Sequence, residues 1–426
     1  MIRVVDALSP EGKTALRELA LARQSPDFDS LREAMPIVEK VLSDRRPPRA
    51  LLGYVKQLDG VELTARSLVV DPCAGPPVAA DPRFVQAFRL ARRRIAAYHR
   101  RQRPRGFAFR DGAGVSFRER PVPHAAAGVY VPGGRAFYPS SLLMGALPAI
   151  VAGVVRVVLA TPPRAWAGSV ELRWAARELG IREVLLAGGA HGIAGLASHL
   201  GCTKIVGPGN RWVAAAKQLV SSVVSIDLFA GPSEVLVVAS SDAEPELVAA
   251  DLLAQAEHDP RASCLLFTDS ARLAKRVDAE IVGQIADLPT AETARASLAA
   301  LGLAVVFPNL AAAAAAARTV ASEHLQLLGK KAEKYREPLS ETAGALFSGS
   351  ATPTAFGDYL AGPNHVLPTG GAGRSFSGLS TRDFYRWGRS VSFSAAAAKK
   401  LAGSAATLAR FEGLVGHARS LERRGR

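Results

Sequence analysis

The hydrophobic rhythm of the chain changes twice. From residue 11 to 103 apolar positions recur at helical spacing between prolines. In the clearest stretch Phe84, Phe88, Ala91, Ile95 and Tyr98 share one face, with arginines between them. Gly128-Val129-Tyr130-Val131 then reads as a short buried strand running into the turn Pro132-Gly133-Gly134. From there strands and helices alternate. Val154 to Ala160, Val184 to Ala187 and Lys204 to Val206 are predicted strands; Trp166 to Leu179, a segment ending near Leu200, and Trp212 to Val220 are predicted helices. The pattern restarts with strands at Glu234 to Ala239, Ala262 to Thr268, Leu303 to Phe307 and Ala345 to Phe347. Helices are expected over Glu244 to His258, Ala271 to Ile285 and Leu310 to Leu327.

Strand–helix–strand units of this length build parallel sheets with right-handed crossovers. The expected fold class is therefore α/β: two Rossmann-like parallel-sheet domains, a helical N-terminal region, and a small helical C-terminal tail domain from about Thr381. The divisions drawn are an N-terminal extension over 1–20, a main α/β domain from 21–127 with 231–380, a second Rossmann-like domain over 128–230, and a tail over 381–426. A tail helix standing alone needs its own body or a partner to pack on.

Composition narrows the function classes. At 426 residues, 48% of them hydrophobic and 21% charged, the chain is long enough for more than one core and has the balance of a globular protein. No apolar run reaches the length of a membrane span; the longest, near Leu142 to Val155, is short and carries Pro148. The opening Met1-Ile2-Arg3-Val4-Val5-Asp6 has no secretory pattern, so cytoplasmic residence is expected. Cys73, Cys202 and Cys264 are far apart and form no CxxC pair, which fits buried free thiols in a reducing compartment. The net charge of +15 raises the question of nucleic acid. The basic residues are scattered, however, with few aromatics among them, and no nucleic-acid motif accompanies them; no specific nucleic-acid partner and no membrane are expected.

Four stretches carry chemistry. In Asp251 to His258, Gln255 and His258 are three apart on a predicted helix, a spacing that presents two metal ligands on one face; a lone histidine at a helix C-terminus explains it as well. Glu323-His324 supplies a carboxylate and an imidazole side by side, or merely an exposed pair at a helix end. Gly357-Asp358-Tyr359 and Gly362 to Gly371 form a Gly- and Pro-rich loop holding Asp358 and His365, either an active-site loop or a surface connection. Glu412 to His417 lies in the tail, where a solvated face is the plain explanation. Two glycine turns, Gly188-Gly189-Ala190-His191 and Gly207-Pro208-Gly209-Asn210, follow strands and open helices, so their amides could face an anion, although neither has the full GxGxxG pattern.

Taken in order, Tyr130 to Gly134, Pro139-Ser140-Ser141, Gly207 to Asn210, Ala230 to Glu234, Gln255 to His258, Glu323-His324-Leu325, Gly357-Asp358-Tyr359, Asn364 to Thr369 and Glu412-Gly413-Leu414 closely resemble the histidinol dehydrogenase family. The resemblance runs from about Leu51 to His417. It implies a four-electron oxidation of L-histidinol to L-histidine through the aldehyde, reducing two NAD in succession. By the same resemblance Gln255, His258, Asp358 and His417 are zinc ligands, one Zn2+ per subunit, in a nitrogen–oxygen set that suits zinc. His324 is the implied base and Glu323 the group that activates water. Ser140, Ser233, Gln255, His258, His324, Asp358, His365, Glu412 and His417 match substrate contacts; Tyr130, His191 and Asn210 match NAD contacts. An intertwined homodimer, with the tail completing its neighbour's site, is also implied.

The chain departs from the family at three places. His191 stands where a Gln is usual, Ser198 to Cys202 replaces a longer loop, and Pro123 to Ala126 lacks the usual acidic–basic pair. The first two fall beside the cofactor positions and leave NAD versus NADP open. A paralogue acting on another small polar alcohol is the enzyme alternative. A basic metal- or nucleic-acid-binding protein on the same fold is the other, opposed by the intact Glu323-His324 pair.

Overall fold

The computed structural model describes residues 1–22, 27–44, 48–133, 138–228 and 231–425; Gly134 and Ala230 of the quoted motifs, and Arg426 of the tail, lie outside the described residues. The chain opens with strand β1, Arg3–Asp6, followed by helices Pro10–Ala22, Phe28–Leu42 and Arg49–Tyr54 and a π-helical turn, Val55–Asp59. Strand β2, Val69–Val70, precedes helix Pro82–Arg101, whose start is set by the Asp81 cap and by proline at its first position. Strands β3, Phe107–Arg110, and β4, Val115–Pro123, follow.

The first alternating run is β5, Ala126–Tyr130; β6, Arg156–Thr161; β7, Glu183–Leu186; β8, Lys204–Val206; and β9, Ser225–Ile226. The second is β10, Glu234–Ala239; β11, Ser263–Thr268; β12, Gly302–Val306; β13, His324–Leu328; and β14, Ala345–Ser348. Strand β15, Tyr385–Phe393, leads into helices Ala395–Phe411 and Val415–Arg424.

The two runs make two sheets of the same plan. One has the order β2-β7-β6-β5-β8-β9 and the other β1-β12-β11-β10-β13-β14. In each, the first strand of the run is central, the next two extend one way, and the fourth and fifth return to the other side. All pairings are parallel except β2 with β7. Reversal of direction between first and fourth strands leaves a crevice at the carboxyl edge, where doubly wound sheets bind ligands. Strands buried on both faces read as continuous apolar runs, which is why Val235 to Val238 and Val157 to Ala160 were visible in the sequence.

Several expectations are corrected. The helix from Leu310 stops at Val320, where Ala321 takes the left-handed conformation, φ 49°, and the chain re-enters as β13. The tail from Thr381 carries the expected helices, Ala395–Phe411 and Val415–Arg424, but opens with a 3-10 turn, Thr381–Phe384, and a nine-residue strand; β15 pairs antiparallel with β4, and β4 with β3, in a three-stranded sheet. The N-terminal segment expected as an extension supplies edge strand β1, parallel to β12, because Ile2 and Val5 have cores to enter on either side. Within 21–127, helix Phe28–Leu42 packs through Ala34, Val38 and Val41 on the core of the β5–β9 sheet, rather than with residues 231–380. Cys202 and Cys264 are buried as expected, but Cys73 is half-buried; all three are free.

The tail is tied to the body at Phe384, fully buried in the core of the β5–β9 sheet, with its carbonyl accepting the His124 N–H at 2.9 Å. Removing a buried phenyl costs about 3–5 kcal/mol. Phe384→Ala is expected to lower the denaturant midpoint followed by tryptophan fluorescence; an unchanged midpoint would refute the anchoring role.

Candidate active site

The chemistry gathers at the amino edge of the β10–β14 sheet, where β10 and β13 begin side by side. Glu323 precedes β13, and its carbonyl accepts the Ala345 N–H at 2.8 Å, continuing the ladder toward β14. Its Oε2 accepts the Glu234 N–H at 2.8 Å and lies 3.5 Å from His324 Nδ1. His324 Nδ1 is also 3.2 Å from the Glu234 carbonyl. A carbonyl only accepts, so Nδ1 carries the proton, and Nε2 is left as the nitrogen able to take one from a substrate. Both side chains are buried, at 5% and 7% exposure. Burial opposes a charge on His324, but the Glu323 carboxylate, and behind it Asp358 and the Glu234 carbonyl, outweigh it and push the imidazole up to about 9.

Asp358 sits in the short helix Ala355–Tyr359, which comes close to β14 because residue 357 is glycine. A Cβ there would meet the Phe347 ring at 2.6 Å. Burial would raise the Asp358 carboxyl, but His365, then His324 and His258, hold it below the ordinary range. Its Oδ1 is 3.5 Å from His365 Nδ1. His258 lies two residues beyond helix Pro245–Ala256, its N–H on the Gln255 carbonyl at 3.3 Å. Gln255 is 7% exposed, and its buried Nε2 has no hydrogen-bond partner. The structure therefore gathers Glu323, His324, Asp358, His365 and His258, with Gln255 one helical turn from His258.

The loop carrying His365 stitches this edge to the other sheet. Asn364 Nδ2 donates to the Met144 carbonyl at 2.7 Å, and Val366 and Leu379 enter the core of the β5–β9 sheet. A few residues on, Gly370 N–H donates to Glu234 Oε1 at 3.0 Å. Burial raises the Tyr359 phenol, and Asp358, Glu257 and Tyr138 add to it, so Tyr138, immediately before the helix Pro139–Ala152 that carries Ser140, lies within electrostatic reach. The amino edge of one sheet thus meets the carboxyl edge of the other. Ser140 and Ser233 are half-buried; Ser233 precedes β10 and accepts the Ser263 N–H at 3.0 Å through its carbonyl.

At that carboxyl edge Tyr130, the last residue of β5, accepts the Gly189 N–H on its hydroxyl at 2.9 Å; burial keeps its phenol protonated. Asn210 caps helix Arg211–Val220, its Oδ1 accepting from Val213 N at 3.1 Å, and is exposed. His191 is 1% exposed and pairs through Nε2 with Asp59 at 2.8 Å. Gly207 has φ 122°, and a Cβ there would meet the Tyr130 carbonyl at 2.2 Å, so the turn at the β5/β8 switch point needs glycine. At the corresponding turn of the other sheet, the exposed Asp242 accepts from Ser240 Oγ at 2.5 Å and from Lys330 N at 3.0 Å.

Glu412 and His417 do not join the group. Both are exposed on the tail, whose helices pack on each other through Ala406, Ala409, Ala418 and Leu421. Among the described residues no three His, Cys, Asp or Glu side chains are placed to hold a metal ion together. The orphaned amide of Gln255, with His258 and Asp358 near one another, nevertheless fits part of a nitrogen–oxygen cation site, because an amide can turn its oxygen inward.

Sequence reasoning missed Glu234, the backbone and side-chain partner of the whole edge, and Asp59. It also missed Asp251, 7% exposed on helix Pro245–Ala256 and pushed up to about 7 by burial alone. Asp251 precedes Gln255 by four residues, and that spacing was a signal available in the sequence.

A family model described as histidinol dehydrogenase matches residues 22–425. Curated histidinol dehydrogenases similar to the chain include that of Agrobacterium fabrum, 42% identical over 392 residues and 90% of each chain. That of Thermosynechococcus vestitus is 40% identical over 434 residues, covering 100% of this chain and 99% of its own. The crystal structure of histidinol dehydrogenase from Elizabethkingia anophelis superposes with a TM-score of 0.86 at 28% identity, covering 99% of this chain and 98% of that one. These matches identify an α/β oxidoreductase acting on a CH–OH group. The chain belongs to the histidinol dehydrogenase family, and its function lies in histidine biosynthesis.

Removing the Glu323 carboxylate takes away the main group favouring the imidazolium, so the His324 pKa must fall. In metal-stripped protein, NMR of 13C-labelled histidine should show His324 titrating near 9 and moving down in Glu323→Gln. Titration of the unsubstituted protein at or below about 6.5, the ordinary value, would show that the carboxylate does not control it.

Proposed function

We propose that the chain oxidises L-histidinol to L-histidine by way of the aldehyde, using two NAD in succession and one zinc ion per subunit. The observation that carries this reading is the Glu323–His324 pair tied to Glu234, beside Asp358, His365 and His258. When bound, NAD supplies the hydride acceptor. Gln255, His258 and Asp358 would hold zinc, whose positive charge would fix the substrate's amino and imidazole nitrogens and lower the entropic part of the barrier.

His324 Nε2 takes the hydroxyl proton as the carbon gives up hydride, and its buried place keeps that proton from bulk water. Charge on Asp358 taken up by a cation lowers the pull on His324 and brings more of its neutral form to neutral pH. Glu323, already ordered by the Glu234 N–H, takes a proton from the water that adds to the aldehyde, and the hydrate then gives up the second hydride. Ser140, Ser233 and His365 line the seam for the substrate, while Tyr130 and Asn210 border the cofactor edge.

The fourth zinc ligand would come from a second copy in an intertwined homodimer. Around Glu412 and His417 the tail exposes Leu408, Phe411, Leu414 and Val415, with Phe411 90% exposed, an apolar surface that one chain does not cover. Glu412 and His417 would then complete the neighbour's site.

Purified protein should form two NADH and one histidine per L-histidinol, lose activity to a chelator, and regain it with zinc. Glu323→Gln should retain alcohol oxidation better than the water-dependent second step, whereas His324→Ala should lose the first. Folded, zinc-loaded protein inert toward histidinol but active on another amino alcohol would overturn the substrate assignment. Mixing Glu323→Gln with His417→Ala chains under subunit exchange should restore histidine formation that neither supports alone; no recovery in a dimer shown to have exchanged would place His417 in its own chain's site.

A further inference from the structure

The two glycine turns at the carboxyl edge of the β5–β9 sheet are each held from behind by a buried carboxylate that has its own basic partner. At the first, Asp59 Oδ2 accepts the Gly188 N–H at 3.0 Å and lies 2.8 Å from His191 Nε2. Asp59 ends the π-helical turn Val55–Asp59, and Gly60 then takes φ 68°, which turns the chain away and leaves the carboxylate facing Gly188. The His191 and Asp59 side chains are 2% and 11% exposed. Nδ1 of His191 is buried as well, so the ring stands behind the turn.

At the second turn Asp227, directly after β9, accepts the Gly207 N–H on Oδ2 at 2.8 Å. Lys217, on helix Arg211–Val220, donates to the Gly207 carbonyl at 3.0 Å and pairs with the Asp227 carboxylate. The two side chains are 2% and 0% exposed. One ion pair thus holds both polar groups of the residue whose φ of 122° shapes the switch-point turn.

We propose that Asp59–His191 and Asp227–Lys217 are positioning pairs for the dinucleotide: they fix the two glycine turns in receiving geometry, His191 by its hydrogen bond to Asp59, and Lys217 by its ion pair, which also offsets the Asp227 charge. This rests on the reading of that edge as the cofactor site. A buried carboxylate near the cofactor's phosphates would repel them unless neutralised. Donors and turns fixed before binding need no reorganisation when the ligand arrives. Apart from Ser140, the substrate-side groups sit on the other sheet or its loop, so damage to a brace should appear in cofactor binding and leave alcohol binding alone.

The test is steady-state kinetics of the zinc-loaded enzyme with NAD and histidinol varied separately, alongside thermal unfolding, for Lys217→Met, Lys217→Met/Asp227→Asn, Asp59→Asn, His191→Phe and Asp59→Asn/His191→Phe. Each single change should raise KM for NAD about tenfold, the effect of losing one charge-assisted hydrogen bond, with KM for histidinol nearly unchanged. Lys217→Met, which leaves an unpaired carboxylate, should be worse than the double variant that removes both charges. Asp59→Asn/His191→Phe should be little worse than Asp59→Asn. Should the Lys217 variants not fold, the Asp59 and His191 variants decide. Unchanged KM for NAD, or both KM values rising in step with lost Tm, would overturn the proposal while leaving the cofactor reading intact. No binding of NAD by the unsubstituted enzyme, measured by calorimetry, would overturn both.

Discussion

The site depends on one peptide position, Glu234. Its N–H goes to Glu323, its carbonyl faces His324 Nδ1, and its carboxylate takes the Gly370 N–H from the loop that carries His365. One residue at the start of β10 therefore orients the carboxylate, sets the tautomer of the imidazole, and anchors the far end of the substrate loop. Backbone groups do most of this work, so the arrangement follows from the register of β10 beside β13 rather than from side-chain adjustment. A shift of that register by one residue would turn His324 to the opposite face of the sheet.

Burying these charges together has a cost that explains their pairing. Glu323, His324 and Asp358 all lie in or beside a low-dielectric seam, where the carboxylates favour the charged form of His324 and the histidines favour that of Asp358. Removing one partner leaves an uncompensated buried charge, which is far more damaging than losing an exposed ion pair. The same logic recurs under the second glycine turn, where the buried Asp227 is paired with Lys217, while at the first Asp59 is hydrogen-bonded to His191. The two switch points differ in their turns: in the β5–β9 sheet a glycine turn closes on the Tyr130 carbonyl, whereas in the other sheet Asp242 links the ends of β10 and β13.

Much of this was legible in the sequence, and the failures have physical causes. Parallel strands buried on both faces announce themselves as apolar runs, so the two alternating halves could be placed. The helix expected to run through Leu327 was extended by the alanine run from Ala311 to Ala317; its true end depends on a non-glycine residue in the left-handed region, which no residue type signals. With that error Glu323 and His324 could be an exposed pair at a helix end, when a strand start brings both onto Glu234. Strand β15 was missed although Tyr385, Trp387, Val391 and Phe393 alternate, because the arginines between them resembled the tail helices. Pairing of Asp59 with His191, 132 positions apart, is set by tertiary structure and could not be read from either segment.

The central claim is that cofactor and substrate meet across a seam between the carboxyl edge of one sheet and the amino edge of the other. A crystal structure of the zinc-loaded protein with NAD and histidinol, or an unreactive analogue, tests this most directly. The dinucleotide should lie along Tyr130 and the Gly207 turn, with its nicotinamide reaching His324 and the substrate nitrogens toward Gln255, His258 and Asp358. A dinucleotide bound instead at the carboxyl edge of the β10–β14 sheet, beside Asp242 and Gly329, would contradict the account.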